Sequence, residues 1–314
     1  MKVLLNLSLE ERHVEQIQSV AEQVELVRPT ASEELLEAVE EAVVLFGEFD
    51  GDLFQRARCL RWVQSAAAGV DGLLFPELVD SEVILVSAKG TVGSHLADHA
   101  MALLLGLTRG IAWALRKPDW DQRWPIRNAS WELAGRKMGI VGLGGTGRDL
   151  ALRARGFGMR VLAVDPEEVE VPECVESCWS MDRFYDLLAE VDVVAICAPL
   201  TRETEGMFDR KAFQRMREHA LLINVTRGKI VLEDALVDAL EQGMIGGAGL
   251  DVTPREPLPQ EHSLWHMENV IITPHTAGGS PHRLDRIVEF FAENLGRWLA
   301  GDPLLGVIDK HKGY

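Results

Sequence analysis

Three ionisable residues in the second half of the chain stand where chemistry on a small acid could take place. Arg227 in NVTRG, Glu256 in TPREPLP and His275 in ITPHTAG each lie at or just past the end of a predicted β-strand. Because ligands of open parallel sheets bind outside the carboxyl ends of the strands, we expect the three side chains to share one crevice. Such a set can bind a carboxylate and deliver a proton to its neighbour.

These residue types favour the reduction of a 2-keto acid. The reaction needs a proton donor at the keto oxygen, and His275 can serve because imidazole titrates near neutrality. Glu256 would favour the charged ring and fix its tautomer. The planar guanidinium of Arg227 suits a substrate carboxylate and the adjacent keto oxygen. Taken singly, each residue also has a structural interpretation, as a loop histidine, a helix-capping arginine or a turn glutamate.

A glycine-rich turn upstream predicts a dinucleotide site. Gly142, Gly144 and Gly147 form G-x-G-x-x-G between the apolar strand MGIV and the helix-like stretch RDLALRARGFG. These glycines permit a tight turn, close approach to a pyrophosphate and close helix-strand packing. The next strand ends at Asp165, whose carboxylate can accept hydrogen bonds from both ribose hydroxyls and repels a 2′-phosphate. The three residues after Asp165 include no arginine, so NAD is predicted over NADP.

Short apolar runs alternate with helix-like stretches along the chain, which is typical of β-α-β units. We therefore predict an α/β fold with two doubly wound, parallel-sheet (Rossmann-like) domains. Helical patterns run from Gly93 to about Arg109 and from Pro281 to about Leu299. A Trp-rich, proline-broken stretch, residues 113–131, is interpreted as an arm that covers surface or pairs subunits. The predicted strands cover residues 2–7, 24–27, 42–47, 61–69, 83–87, 138–141, 160–165, 191–200, 221–228, 246–252 and 269–275.

Composition limits the partners and the compartment. A chain of 314 residues favours two domains. The 32 Lys and Arg against 49 Asp and Glu give a net charge of -17, which disfavours nucleic acid and anionic membranes. The N-terminus resembles no signal peptide, and the longest strongly apolar run, residues 100–107, is too short to span a bilayer. We expect a cytoplasmic protein whose four cysteines are reduced.

Taken together, the motifs resemble the D-isomer-specific 2-hydroxyacid dehydrogenase family, from about Leu60 to the C-terminus. The stretches that carry the resemblance are RWVQSAAAGVD, GLGGTGRDLA, CAPLTRETEGM, LLINVTRGKIVLEDAL, GAGLDVTPREPLPQEHSLW and NVIITPHTAG. The tail LAGDPLLGVIDKHKGY is similar to the glyoxylate/hydroxypyruvate reductase branch of that family. The family is a set of enzymes that interconvert 2-keto acids and D-2-hydroxy acids with a nicotinamide cofactor.

This resemblance implies a flavodoxin-like substrate domain of residues 1–91 and 285–314, with an NAD-binding Rossmann domain of residues 92–284 inserted in it. It also implies a homodimer. The catalytic roles fall on Arg227, Glu256 and His275. The substrate carboxylate would be held by Arg227 and by backbone amides of Ala67, Ala68 and Gly69. The implied cofactor contacts are Gly142, Gly144, Thr146, Gly147, Asp165, Pro199, Val225, Thr226, Asp251 and Gly278.

Other functions were weighed against this prediction. His95, Asp98 and His99 spell H-x-x-D-H, close to a zinc motif, but no distant third ligand is evident and no metal is predicted. A formate dehydrogenase would have Gln in place of Glu256, and a phosphoglycerate dehydrogenase with a regulatory domain would continue further. An NAD-sensing, corepressor-like binding protein would share the fold and the catalytic residues. Turnover of 2-keto acids separates that sensor from an enzyme, and the identity of the acid stays open.

Overall fold

Two parallel β-sheets organise the chain, which the computed structural model describes from Met1 to Tyr314. Contacts between residues divide it into two units. Unit one comprises Met1–Val92 and Ser280–Tyr314, and unit two comprises Gly93–Gly279. Each unit has one sheet whose strands all pair in parallel, and most of the connections between successive strands contain a helix. The predicted fold class, two doubly wound parallel-sheet domains, is confirmed.

Unit one has a five-stranded sheet in the order β2-β1-β3-β4-β5. The strands Lys2–Asn6 and Ala42–Gly47 are mostly buried, which explains their nearly continuous apolar sequences, whereas the edge strand Glu25–Val27 is partly exposed. The unit also contains the C-terminal helix, Arg283–Ala300. The remaining elements, in chain order, are β1 (Lys2–Asn6), α1 (Glu11–Val20), β2 (Glu25–Val27), α2 (Ser32–Glu41), β3 (Ala42–Gly47), α3 (Gly51–Arg56), β4 (Trp62–Gln64), α4 (Pro76–Val79) and β5 (Ile84–Val86).

The C-terminal helix completes the core of unit one. Ile287, Val288, Phe291 and Leu295 recur at helical spacing and are fully buried, as the sequence predicts. The ring of Phe291 stacks on Phe46 of β3 with 4.1 Å between centroids. The helix therefore belongs to unit one although more than 180 residues of sequence separate it from β5.

Unit two has a seven-stranded sheet in the order β12-β11-β10-β9-β6-β7-β8. The order reverses between β6 and β9, and such a reversal is where doubly wound sheets bind their ligands. The elements are α5 (Gly93–Thr108), α6 (Ile111–Arg116), α7 (Arg123–Ala129), β6 (Lys137–Val141), α8 (Gly145–Gly156), β7 (Arg160–Val164), β8 (Ser177–Trp179), α9 (Phe184–Glu190), β9 (Val193–Ile196), α10 (Arg210–Arg215), β10 (Leu221–Asn224), α11 (Glu233–Glu241), β11 (Gly247–Leu250) and β12 (Val270–Ile272).

Strand β8, which includes Cys178 and Trp179, is not among the strands predicted from the sequence. The three residues of β8 pair with β7 at the edge of the sheet. Its alternation of Ser, Cys and Trp is too short to show a period, so only the neighbouring strand identifies it.

The Trp-rich segment, interpreted from the sequence as an arm that covers surface or pairs subunits, forms two short helices. It forms α6 and α7, and several of its apolar side chains are exposed: Leu115 is 78% exposed, Trp120 86% and Trp124 60%. Arg123 and Arg127 lie over the ring of Trp124, about 5 Å from its centroid in each case.

No helix of the protein combines the length and the apolar character needed to cross a bilayer.

Candidate active site

The glycine-rich turn follows β6 at the point where the strand order reverses. Gly142 has φ of +94°, and a Cβ there would lie 2.8 Å from the nitrogen of Ala198. A Cβ on Gly147 would lie 2.2 Å from the carbonyl oxygen of Gly142. Only glycine therefore fits at these two positions. At Gly144 a Cβ would meet nothing within 4 Å, which leaves open space just before α8.

That open space fits a dinucleotide. It faces the first turn of α8, where backbone N–H groups without helical partners and the helix dipole favour a pyrophosphate. Asp165 follows β7, and its two carboxylate oxygens accept hydrogen bonds from the nitrogens of Leu143 (2.7 Å) and Glu167 (3.0 Å). The carboxylate is thus fixed against the glycine turn. Each oxygen keeps a second lone pair that can accept a ribose hydroxyl.

The other residues predicted to contact a cofactor lie at the same edge of the unit two sheet. Thr146 is half-buried in the first turn of α8, and Pro199 follows β9 with its carbonyl oxygen 2.7 Å from Thr204 Oγ1. Val225 and Thr226 follow β10, and Gly278 lies past β12 in open space.

Cys197 also follows β9. Desolvation raises the pKa of its thiol to about 12, so this cysteine stays protonated beside the glycine turn.

His275 and Glu256 form a hydrogen-bonded pair. Nδ1 of His275 lies 2.6 Å from Oε2 of Glu256, and Oε1 of Glu256 accepts a hydrogen bond from the nitrogen of Thr253 at 3.1 Å. Because a carboxylate only accepts, Nδ1 of the imidazole carries a proton and donates it. Both side chains are partly exposed, His275 at 50% and Glu256 at 38%. Glu256 therefore orients the ring through Nδ1, while half of the His275 side chain stays accessible to solvent.

Arg227 lies on a turn that is fixed by the buried side chain of Asn224. Asn224, at the end of β10, is 1% exposed; its Oδ1 accepts from Thr226 N at 3.1 Å and its Nδ2 donates to Arg227 O at 2.9 Å. The next residue, Gly228, packs so closely that a Cβ would lie 2.0 Å from the carbonyl carbon of Thr253. The turn that presents Arg227 is therefore in contact with the loop that carries Glu256.

Asp251, predicted to lie beside the nicotinamide, organises the loop that carries His275. It is 1% exposed. Its Oδ1 accepts from Thr273 Oγ1 at 2.6 Å and from Thr276 N at 2.8 Å, and its Oδ2 accepts from Ala277 N at 2.8 Å. The nitrogen of His275 donates to the carbonyl oxygen of Asp251, and His275 is the one non-glycine residue with positive φ, +54°. The carboxylate thus stabilises an unfavourable backbone conformation.

Sequence reasoning missed Asn224 and Gly228 as parts of the site. An asparagine that directly follows the apolar run LLI is a usable signal, because a buried amide needs hydrogen-bond partners and so shapes the turn after it. The role of Gly228 could not be read, because it depends on Thr253, which lies 25 residues further along the chain.

The loop predicted to hold a substrate carboxylate lies in unit one, after β4. Ala67 N donates to Ser65 Oγ at 3.1 Å, and Ala67 O accepts from Ala88 N at 3.0 Å, which fixes the loop. The N–H groups of Ala68 and Gly69 make no hydrogen bond within the protein. Small side chains and unused backbone donors are what an anion site of this kind requires.

The H-x-x-D-H residues on α5 have separate partners. Asp98 pairs with Arg153 at 2.5 Å, and His99 lies 2.7 Å from Thr273 Oγ1. Nowhere in the chain are three or more His, Cys, Asp or Glu side chains grouped so that they could hold a metal ion.

The sheet order, the glycine turn at its reversal point and the carboxylate after β7 define unit two as a dinucleotide-binding Rossmann fold. Residues 101–277 match the family model described as "D-isomer specific 2-hydroxyacid dehydrogenase, NAD binding domain". The chain therefore belongs to the D-isomer-specific 2-hydroxyacid dehydrogenase family, and the prediction of a dehydrogenase of this class is confirmed.

Relatives and solved structures agree with this family. The chain is 36% identical over 266 residues to a glyoxylate reductase of Korarchaeum cryptofilum, an alignment that covers 82% of this chain and 79% of the relative. A glyoxylate reductase of Thermofilum pendens is 32% identical over 290 residues, covering 90% and 86%. The crystal structure of an NADPH-dependent glyoxylate/hydroxypyruvate reductase from Sinorhizobium meliloti, with NADP and sulfate, has a TM-score of 0.82 at 27% identity and covers 100% and 99%. The branch predicted from the sequence, that of the glyoxylate/hydroxypyruvate reductases, matches the names of these similar proteins.

Proposed function

We propose that this protein uses NADH to reduce a small 2-keto acid of the glyoxylate or hydroxypyruvate type to its 2-hydroxy acid, in the D configuration where the product is chiral. The observation that carries the proposal is the 2.6 Å pair of His275 and Glu256, with the turn of Arg227 packed against the same loop. The names of the relatives support this substrate class.

Each residue of the trio has one task in this proposal. His275 donates a proton to the keto oxygen, and Glu256 holds the ring by Nδ1 so that Nε2 can face the substrate. Arg227 binds the substrate carboxylate and polarises the keto oxygen. Gly142–Gly147 and Asp165 would hold NADH, which supplies a hydride to C2 when it is bound. After the reaction the neutral imidazole recovers a proton from solvent.

The two units take different parts. Unit one corresponds to the substrate domain, and the unused amides of Ala68 and Gly69 are donors suited to an anion. Unit two corresponds to the nucleotide domain. Local donors of this kind offset the repulsion that a protein of net charge -17 exerts on an anionic substrate.

A steady-state screen tests the proposal. Glyoxylate, hydroxypyruvate, pyruvate and bulkier 2-keto acids are each offered with NADH and with NADPH, and the chirality of the products is determined. We expect the highest kcat/KM for glyoxylate or hydroxypyruvate with NADH. Tight NADH binding without turnover of any acid would overturn the proposal and favour a nucleotide-sensing binding protein instead.

The pairing of Glu256 with His275 predicts a loss of activity when the pair is broken. Oε2 of Glu256 lies 2.6 Å from Nδ1 of His275 and so orients the ring. In Glu256→Gln the amide replaces a group that can only accept by one that can also donate, and the ring is held less firmly. We expect kcat for keto-acid reduction to fall about tenfold or more, because small misplacement of a reacting group is costly. The measurement is kcat at saturating keto acid and NADH, with Glu261→Gln as the control for an exposed carboxylate. A kcat equal to the parent's would contradict the pairing.

Asp165 predicts the preference for NADH over NADPH. Its carboxylate repels a 2′-phosphate, and replacing it while adding a cation removes that repulsion and supplies a partner. In Asp165→Ser with Glu167→Arg, the ratio of kcat/KM for NADPH to that for NADH should rise about a hundredfold. Glu168→Arg alone adds the same charge and keeps Asp165, so it is the matched control. A ratio equal to the parent's would mean that residues other than Asp165 recognise the 2′ position of the ribose.

The exposed side chains of α6 and α7 support the proposal of a homodimer that pairs through this segment. Large apolar side chains next to arginines are typical of subunit interfaces, and Leu115 and Trp120 are both more than three-quarters exposed. We expect light scattering to give twice the mass of the chain. Leu115→Ser with Trp120→Ser should reduce it to one chain, while Val171→Ser, another exposed apolar residue, should not. A parent protein of single mass would contradict the dimer.

A further inference from the structure

His99 on α5 is a titratable side chain that the proposed mechanism does not use. Its Nε2 lies 2.7 Å from Thr273 Oγ1 and 3.4 Å from Asp251 Oδ1. The side chain is 22% exposed, in a helix that packs against β11 and β12. The histidine therefore contacts Thr273, the first residue of the His275 loop (Thr273–Ala277), and the buried carboxylate of Asp251, which holds that loop.

The directions of these hydrogen bonds follow from the chemistry of the groups. The single hydrogen of the Thr273 hydroxyl is donated to Asp251 Oδ1 at 2.6 Å, because a carboxylate can only accept. The hydroxyl oxygen must then accept from its other neighbour. Nε2 of His99 accordingly carries a hydrogen and donates it, so the ring orients the hydroxyl toward Asp251.

Asp251 in turn fixes the backbone at His275 and at the two residues that follow it. Asp251 accepts from the nitrogens of Thr276 and Ala277, and its carbonyl oxygen accepts from the nitrogen of His275. These contacts stabilise the positive φ that His275 adopts. A continuous set of hydrogen bonds therefore runs from α5 through Thr273 and Asp251 to the residue that pairs with Glu256.

We propose that His99 is a positioning residue for His275, acting through the hydroxyl of Thr273 and the carboxylate of Asp251. Without the donor on α5, Thr273 can turn its hydroxyl away, Asp251 loses an oriented partner and the loop that presents the imidazole loosens. The effect on the reaction rests on the proposed function, in which His275 is the proton donor. The effect on the loop does not.

Two pairs of variants test the proposal by activity. His99→Leu removes the donor and keeps an apolar side chain, whereas His99→Gln keeps an N–H donor. Thr273→Val removes the relaying hydroxyl. The control is Thr108→Val, which removes a buried hydroxyl of α5 that donates to Leu104 O and does not contact the loop. We expect kcat to fall about tenfold or more in His99→Leu and Thr273→Val, because small misplacement of a reacting group is costly. His99→Gln should retain most of the parent's kcat, and Thr108→Val all of it.

Amide hydrogen exchange of the ligand-free protein supplies a readout that needs no turnover. The N–H groups of Thr276 and Ala277 both donate to Asp251. Their exchange should become about tenfold faster in His99→Leu and Thr273→Val, and stay near the parent's rate in His99→Gln and Thr108→Val. Exchange in the strands of unit two should be unchanged, which shows that the variants are folded.

The outcomes separate this proposal from the proposed function. Equal kcat and equal exchange in His99→Leu and the parent would overturn the role of His99. If His99→Gln falls as far as His99→Leu in both measurements, the contact is packing alone and the hydrogen-bond role is overturned. If the parent reduces no 2-keto acid, the proposed function fails, while the exchange rates still decide whether His99 holds the loop.

Discussion

His275→Ala should lower kcat for keto-acid reduction about a thousandfold, the effect of removing a general acid, while the dissociation constant for NADH stays near that of the parent. The imidazole is the one group of the trio that can give a proton to the keto oxygen, and its loss leaves only water. NADH binding should persist, because the glycine turn and Asp165 are formed by β6, α8 and β7 and do not involve the His275 loop.

Stopped-flow fluorescence gives the NADH dissociation constant and steady-state assays give kcat. The matched control is His266→Ala, which removes an exposed imidazole from unit two. A turnover number equal to the parent's in His275→Ala would exclude the imidazole as proton donor. Loss of NADH binding together with activity would indicate that the variant had lost its fold.

Arg227→Lys should be nearly as damaging as Arg227→Ala. A lysine keeps the charge but lacks the planar pair of donors that can bind a carboxylate and a neighbouring oxygen together. We expect kcat/KM for the keto acid to fall about a thousandfold in the alanine variant and about a hundredfold in the lysine variant.

Steady-state kinetics with the best keto acid of the screen supply the values. Arg215→Lys, at an exposed guanidinium in the last turn of α10, serves as the control. If the lysine variant matched the parent in both kcat and KM, a point charge would suffice and two-point recognition would be ruled out.

Local patterns were enough to predict the fold class, and they also indicated the residues that we propose carry the chemistry. Apolar runs bounded by turn residues locate parallel strands, and the glycine spacing between β6 and α8 specifies a nucleotide turn whatever follows. Arg227, Glu256 and His275 are candidates because each follows a predicted strand. The extents of the strands were less so: the run 61–69 becomes strand only over Trp62–Gln64, because the residues after Gln64 form the small-residue loop.

Contacts between distant parts of the chain could not be predicted in this way. The hydrogen bond from His99 to Thr273 joins residues 174 positions apart, and the local pattern H-x-x-D-H around His99 gives no sign of it. The carboxylate of Asp251 was assigned to the cofactor, whereas its observed partners are the amides of Thr276 and Ala277. A buried acid can be located from sequence, but the groups that neutralise it depend on how the strands are aligned.

The contact of Gly228 with Thr253 has a consequence for protein engineering and for divergence within the family. With no room for a single methyl group between the two turns, neither backbone can move without the other. Transplanting one of these loops from a relative with a different substrate would bring in a mismatched neighbour. Libraries that aim at new keto acids should therefore exchange residues 224–228 and 251–256 together, as one cassette.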